Sequence, residues 1–315
     1  MSADPQSVSL HDNELQVDQT LVESLVSAHF PKWAKLEVQP LRRAGSSNHL
    51  FRLGDDLLVR LPRQPGGGRS LVKEAYWSDE FRSKLPLSIP KVVELVEPEK
   101  RFPQHWAVMT WLPGQVPDVH ARAVDAQFAQ QLAGFIVCLR DLPVPTDITA
   151  EMGLTGYRGA ALAEHDEQFR VNLRVCHGMS ELSLPLQWVE RIWEDGLSAQ
   201  DSEVVNATWY HGDLVAENLL SNGVRLAAVL DFGGLGVGDP AIDLIGAWEL
   251  FDGRERSVFR AAVKATQNQW RVARAWAVAV ALMTFPYYLK TMPRRINDRL
   301  CMLNSVVDEW REENS

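Results

Sequence analysis

The sequence predicts an α+β chain in two parts, an antiparallel sheet followed by a larger, mainly helical part. Three observations carry this. Between residues 36 and 111, short apolar stretches are separated by Gly-, Ser- and Asp-rich turns, the pattern of strands joined by tight connections. One helical stretch, residues 70–84, interrupts them. Beyond Leu112-Pro113-Gly114 the apolar residues recur at the three- and four-residue spacing of helices packed on a core.

The elements follow in order. Residues 1–17 are polar and aperiodic and read as a loose tail. Asp18 is placed to cap a helix whose apolar residues Leu21, Leu25 and Val26 run toward Pro31. Segments 36–43, 48–53 and 56–61 then read as strands, separated by Gly45-Ser46-Ser47 and Gly54-Asp55-Asp56. After Pro65-Gly66-Gly67-Gly68 and the helix over 70–84, strands over 92–96 and 106–111 complete a five-stranded sheet. Leu112-Pro113-Gly114 marks the boundary between a domain over 18–111 and one over 112–315. In the second, Val124, Phe128, Leu132, Phe135 and Leu139 form one helical stripe, and Trp188, Ile192 and Trp193 mark another helix. A hairpin is expected around Ser221-Asn222-Gly223, and helices from Pro240 onward.

Composition excludes several classes. The 315 residues carry 32 Lys and Arg against 41 Asp and Glu, a formal charge of −9. Residues 1–110 hold 14 basic and 14 acidic side chains, so the whole excess falls in 111–315. That balance argues against nucleic acid as a partner, since phosphate backbones need clustered cations. Cys138, Cys176 and Cys301 lie far apart, as expected of a reducing, cytoplasmic setting rather than a disulfide framework. The N-terminus lacks the features of a signal peptide. The longest uncharged stretch, Ala275 to Leu289, is too short for a membrane span.

The informative stretch is His211-Gly212-Asp213-Leu214-Val215-Ala216-Glu217-Asn218-Leu219-Leu220, followed by Asp231-Phe232-Gly233. A short hairpin between Asn218 and Asp231 brings its ends together, so both can face one site with Asp213 beside them. Two hard oxygen ligands suit Mg²⁺, which keeps waters and substrate phosphates in its shell. The remaining carboxylate is then free to orient a hydroxyl and accept its proton, the arrangement that phosphoryl transfer requires.

On these residues, HGDLVAENLL with VLDFGGLGVGDPAIDL, the chain resembles the aminoglycoside phosphotransferases, small-molecule kinases with a two-lobed protein-kinase-like fold. The resemblance implies Asp213 as catalytic base and Asn218 and Asp231 as magnesium ligands. It implies His211 as the residue that orients the loop, and Asp239 and Asp243 as braces for the helix entering the substrate lobe. ATP or GTP and Mg²⁺ are the implied cofactors.

The first domain departs from the pattern at one position. Where such folds carry a strand lysine that holds the nucleotide phosphates, this chain has Arg60, with Glu74 of the next helix as its partner. An arginine is always charged and can clamp phosphate bidentately. Lys73 is the alternative, but as the neighbour of Glu74 on a helix it is expected to point elsewhere. Gly45-Ser46-Ser47-Asn48 lies where the family has its nucleotide-covering loop, so Ser46 and Ser47 are candidates for phosphate contacts; taken alone, the motif means only a turn. Thr110 and Leu112 match the adenine-binding linker.

For the acceptor, Trp248, Glu249, Asp252, Tyr287 and Tyr288 lie on the C-terminal helices. Acidic groups there suit a polycationic aminoglycoside and aromatic ones a macrolide, while Trp and Tyr at helical spacing also suit a plain core. The expected function is ATP- and Mg-dependent transfer of phosphate to a hydroxyl of a small molecule, an antibiotic of the aminoglycoside type first. A macrolide or a metabolite alcohol (choline, homoserine or a sugar) comes next, and a nucleotide-binding pseudokinase, suggested only by Arg60, comes last. The expected partner is a small-molecule alcohol, with neither nucleic acid nor membrane, and a monomer or homodimer.

Overall fold

A computed structural model describes residues 10–41, 45–120, 124–149, 152–202, 205–223 and 225–315. By their internal contacts these residues form two compact units. The first comprises the described residues within 1–84, 88–113 and 228–233, and the second those within 85–87, 114–227 and 234–315.

The first unit begins with α1 (Gln19–His29), capped by Asp18, whose carboxylate accepts from Leu21 N–H at 2.7 Å. Strands β1 (Val38–Pro40), β2 (Asn48–Leu53) and β3 (Leu57–Pro62) follow, then α2 (Gly68–Phe81), β4 (Val92–Val96) and β5 (Trp106–Thr110). The sheet runs β1-β2-β3-β5-β4 and its pairs are antiparallel. Side chains alternate across a strand, so β3 sorts its residues between two layers. Val59 and Leu61 join Val22, Leu25 and Val26 of α1, with Trp106 and Val108 of β5, in one core. Each of the three α1 side chains contributes about 1.5–3 kcal/mol on burial. Leu58 lies on the opposite face with Ala107, Met109 and Leu71 of α2. Arg60 shares the parity of Leu58, and that period-2 rule turns it toward α2 and Glu74.

Of the tail expected over 1–17, residues 1–9 lie outside the described residues, and residues 10–17 differ from the expectation. Leu15 N–H donates to the Arg63 carbonyl at 2.6 Å, and Glu14 forms an ion pair with Arg63. Leu15 and Val17 pack against the core. The segment reads as polar because its apolar residues are few and irregularly spaced, yet two of them pack on that core.

The second unit is built from α3 (Ala126–Arg140), α4 (Asp166–His177), α5 (Leu186–Asp201), α6 (Gly246–Leu250), α7 (Gly253–Ala262), α8 (Gln267–Tyr288) and α9 (Pro293–Glu313). The central helix is α8, apolar around most of its circumference and packed by α4, α5 and α9. Gly196 of α5 permits the close approach to α8: a Cβ there would lie 2.4 Å from the Ala275 Cβ. Two short strands, β6 (Thr208–Tyr210) and β9 (Gly236–Gly238), pair antiparallel on either side of the motif region. Between them β7 (Leu219–Ser221) and β8 (Leu226–Val229) form the expected hairpin, and the division between the units falls within β8. None of the helices among the described residues is long and apolar enough to cross a membrane.

Candidate active site

In the second unit, β6 delivers the chain into the His211–Asn218 loop. Gly212 turns it, with φ of 86°, and a Cβ there would lie 2.6 Å from the Gly234 carbonyl oxygen, so only glycine fits. Behind the turn, the buried Asp243 carboxylate accepts from His211 N–H at 2.8 Å and Gly212 N–H at 2.7 Å. Burial raises the Asp243 carboxyl above its ordinary range, against the influence of His211 and the two N–H groups. The His211 ring is fully buried, and its Nδ1 accepts from Asp213 N–H at 3.3 Å. Asp239 caps the turn over Pro240–Leu244 by accepting from Ala241 N–H at 2.9 Å, and it also accepts from Gln200 at 2.7 Å. Of the two aspartates, Asp243 therefore braces the loop itself and Asp239 the turn that carries it.

Asp213 is the loop's half-exposed carboxylate. Asn218 donates from Nδ2 to Asp213 Oδ2 at 2.8 Å and to the Asp213 carbonyl at 2.9 Å. Its second oxygen, Oδ1, takes an ion pair from Arg158, whose Nη1 also donates to the Gly212 carbonyl at 2.5 Å. Burial alone would raise the Asp213 carboxyl, but Arg158, then Arg299 and His211, outweigh it and hold the group below the ordinary range. The balance favours the ionised form of Asp213. Because the Asn218 amide spends its nitrogen on Asp213, the carbonyl Oδ1 is the atom it has to offer a cation.

In the first unit, Arg60 joins two carboxylates: Nη1 lies 2.7 Å from Glu74 Oε2 and Nη2 lies 2.8 Å from Asp231 Oδ1. The Asn48 amide, with its oxygen turned to Arg60, accepts from Nε at 3.1 Å. Burial would weaken the guanidinium's hold on its proton, but Asp231 and Glu74 more than compensate, and Arg60 stays charged. Asp231 sits at φ 60°, a left-handed conformation uncommon outside glycine, and its Oδ1 also accepts from Gly233 N–H at 3.3 Å. Burial lowers the affinity of the Lys73 ammonium for its proton, against the pull of Glu74 and Asp231.

The remaining sequence candidates fall out as follows. Ser46 and Ser47 sit in a turn tied back through their carbonyls, Ser46 to His11 at 2.7 Å and Ser47 to Arg63 N–H at 3.0 Å. Thr110 N–H donates to the Lys91 carbonyl at 2.8 Å, so of its backbone groups only the carbonyl can address a base edge. Leu112 follows Trp111, whose N–H is bound to the Asp56 carbonyl at 2.8 Å.

Trp248 and Glu249 do not lie on an acceptor-facing surface and need correction: both are buried. Trp248 donates from Nε1 to Glu309 at 2.6 Å. Glu249 accepts from Ala216 N–H at 2.9 Å and is ion-paired to the buried Arg299. They brace the His211–Asn218 loop from behind, on an α6 that is buried along its length. Asp252 is exposed at the start of α7, and Tyr287 is half exposed. The residue that sequence reasoning missed is Arg158, which carries no motif and comes from a separate stretch of chain.

A sheet unit with a buried cation and acidic partners, and a helical unit with a braced His-Gly-Asp loop, define a kinase-like phosphotransferase. The profile of the phosphotransferase enzyme family (APH) matches residues 37–276, and the chain belongs to that family. It is an enzyme of the class that transfers phosphate to a hydroxyl of a small molecule. No curated protein sequence matches it. Among solved structures, it is similar to the GDP complex of aminoglycoside 2'-phosphotransferase-IIIa, with 18% identity, 93% of this chain and 99% of that one covered, and a TM-score of 0.68. It is also similar to a streptomycin–ATP–APH(2")-IIa ternary complex, with 17% identity, coverage of 85% and 91%, and a TM-score of 0.61. The macrolide 2'-phosphotransferase MphH from Brachybacterium faecium gives 19% identity, coverage of 92% and 97%, and a TM-score of 0.60.

Proposed function

We propose that this chain transfers the terminal phosphoryl group of ATP or GTP to a hydroxyl of a small molecule, with an aminoglycoside-type antibiotic as the first candidate acceptor. The observation that carries this reading is the Asp213 carboxylate, ionised, half exposed and held on both oxygens in a loop braced from behind. The similar structures were determined with GDP, ATP, kanamycin and gentamicin, which supports a nucleotide donor and an amino-sugar acceptor. Macrolide phosphotransferases stand among them too, so a macrolide is the second candidate and a metabolite alcohol the third.

In this reading the acceptor hydroxyl donates a hydrogen bond to Asp213. As its oxygen bonds to the γ-phosphorus, the bond to the β–γ bridging oxygen breaks and the hydroxyl proton passes to Asp213. In the first unit, Arg60 is the cation offered to the donor phosphates, with Glu74 holding it and Lys73 beside it. Asp231 there and Asn218 in the second unit each present a hard oxygen of the kind Mg²⁺ takes. No cluster of three or more His, Cys, Asp or Glu among the described residues makes an all-protein cage. That suits an ion bound by few protein ligands together with waters and phosphates. Bound Mg²⁺ supplies neutralisation of the charge spread over the phosphoryl oxygens. Cys138, Cys176 and Cys301 are not joined in disulfides, which is in keeping with a cytoplasmic enzyme.

The test is nucleotide turnover with Mg²⁺ against aminoglycosides, macrolides, choline, homoserine and sugars. Stimulation by one class, abolished in Asp213→Ala, supports the reading and fixes the acceptor. Nucleotide binding with no stimulation by any class favours a non-catalytic, nucleotide-binding role.

A further inference from the structure

We propose that Arg158 is a positioning residue for Asp213, a cation brought to the catalytic loop by a separate segment of chain to fix the orientation of its carboxylate. The proposal rests on the reading of Asp213 as the base.

The geometry at Asp213 is a two-sided clamp. Oδ2 is held by Asn218 Nδ2 at 2.8 Å and Oδ1 by the Arg158 guanidinium. The same Nη1 binds the Gly212 carbonyl at 2.5 Å, so one group spans the backbone and the side chain of the turn. With Asn218 alone the carboxylate could rotate about its terminal torsion, which is broad and roughly two-fold. With both contacts it has one orientation, and the remaining lone pairs point in fixed directions. In phosphoryl transfer, where catalysis is mainly positioning and electrostatics, that fixed aim is the base's main contribution.

The segment that presents Arg158 is itself anchored to the strands leading into the loop. Residues Tyr157–Gly159 form one tight turn after Gly156, which has φ of 133°. The Gly159 carbonyl accepts from Asp239 N–H at 3.0 Å, and Val237 N–H of β9 donates to Leu154 at 2.8 Å. Side chains are excluded where the turn meets β6 and β9. A Cβ on Gly159 would lie 2.1 Å from the Tyr210 ring, and one on Gly238 would lie 2.3 Å from the Gly159 carbonyl oxygen. The turn is therefore seated against the last residue before His211, and Arg158 is delivered at fixed distance from Asp213.

The Arg158 side chain is 24% exposed and that of Asp213 31%, so the pair is partly screened by solvent and its contribution to folding is modest. Other cations do not substitute for it. Arg299 is engaged by Glu249 and Glu217, and acts on Asp213 only through its field.

The test uses Arg158→Gln and Arg158→Lys in the full chain. A crystal structure of Arg158→Gln reads the carboxylate directly: it is expected to turn away from its wild-type orientation, and an unchanged orientation overturns the proposal. Thermal stability is expected to stay near wild type. With the acceptor that supports turnover, kcat is expected to fall roughly 100-fold in Arg158→Gln, the cost of a misaimed reacting group. The nucleotide KM is expected to stay within about threefold, since ground-state binding is untouched. Arg158→Lys should retain intermediate activity, and guanidinium ion added to a third variant, Arg158→Ala, should restore part of kcat, which a purely structural role would not allow. A kcat within about twofold of wild type in Arg158→Gln overturns the proposal. Should the wild-type protein turn over no acceptor, the phosphotransfer reading fails by itself, and the carboxylate's orientation still decides the role of Arg158.

Discussion

The two charged centres of this enzyme are built on opposite plans. In the first unit, Arg60, Glu74 and Asp231 hold one another, and the arginine and glutamate side chains are 7% and 1% exposed. The groups that would meet the donor are also the groups that hold the centre together. In the second unit the tasks are divided. Asp243 and the Glu249–Arg299 pair hold the loop from inside, while Asp213 stands half exposed at its front. Where bracing and chemistry share residues, a substitution damages both; where they are separate, activity can be lost with the fold intact.

Asp213→Ala gives the largest separation. With Asp213 as the proposed base, its loss lowers kcat by about 10²–10⁴-fold, while the partly screened pair it breaks should cost only a small fall in Tm. Phosphate transfer and thermal unfolding of the same preparation check both halves. A large fall in Tm would show that the loop depends on Asp213 for its fold, and the contrast would collapse.

Glu74→Ala should behave in the opposite way. It leaves Arg60 buried with only one carboxylate, and breaking a buried pair by removing one partner costs about 3–5 kcal/mol. Stability and nucleotide affinity should fall together, measured by denaturant unfolding and by nucleotide titration. Glu74→Gln keeps the shape and one acceptor and should recover part of both. A variant that lost nucleotide affinity at wild-type stability would place the first unit on the divided plan as well.

How far these plans could be read from sequence depends on whether a residue's role is local. The strands, α2 and the hairpin were legible because period-2 and period-3.6 patterns are set by neighbours along the chain. Asp213, Asn218 and Asp231 stand out in the sequence because their spacing is itself the motif. The pairing of β6 with β9 was not, since Gly236 and Gly238 carry no strand propensity and their place is set by the close seat of Gly159. Arg158 lies in an irregular stretch more than fifty residues before Asp213, and only the fold joins them. Trp248 and Glu249 were misread because a five-residue helix buried all round shows no polar face.

The first unit also carries an acid-sensitive contact. Burial, with the nearby Arg63, pushes the His49 imidazole down to about 4, against the pull of Glu14 and the Leu15 carbonyl. Neutral His49 contacts the Leu15 carbonyl through Nε2 at 3.2 Å, which helps hold residues 10–17 to the sheet. A folded-state value below the unfolded one gives stability that is complete above about pH 6.5 and declines as pH falls toward 4, by up to roughly 3 kcal/mol. The carboxyl of Glu14, held low chiefly by Leu10 N–H and Arg63 against burial, works in the same direction at lower pH. Tm followed from pH 7.5 to 5 should fall in the wild type and fall less in His49→Gln. Parallel curves would remove His49 as the cause.

The smallest effect bears on the acceptor. Trp248 and Trp270 both donate to Glu309, at 2.6 and 3.3 Å, and Arg256 reaches the same carboxylate at 3.3 Å. Trp248→Phe deletes one donor of three and leaves most of the ring volume in place. Its cost should therefore be about 1 kcal/mol, the net worth of one hydrogen bond. If Trp248 only braces the second unit, that loss appears in unfolding and the acceptor KM is unchanged. If it touches the acceptor, KM rises while stability holds. The buried indole, with its nitrogen already engaged by a glutamate of α9, favours the first outcome.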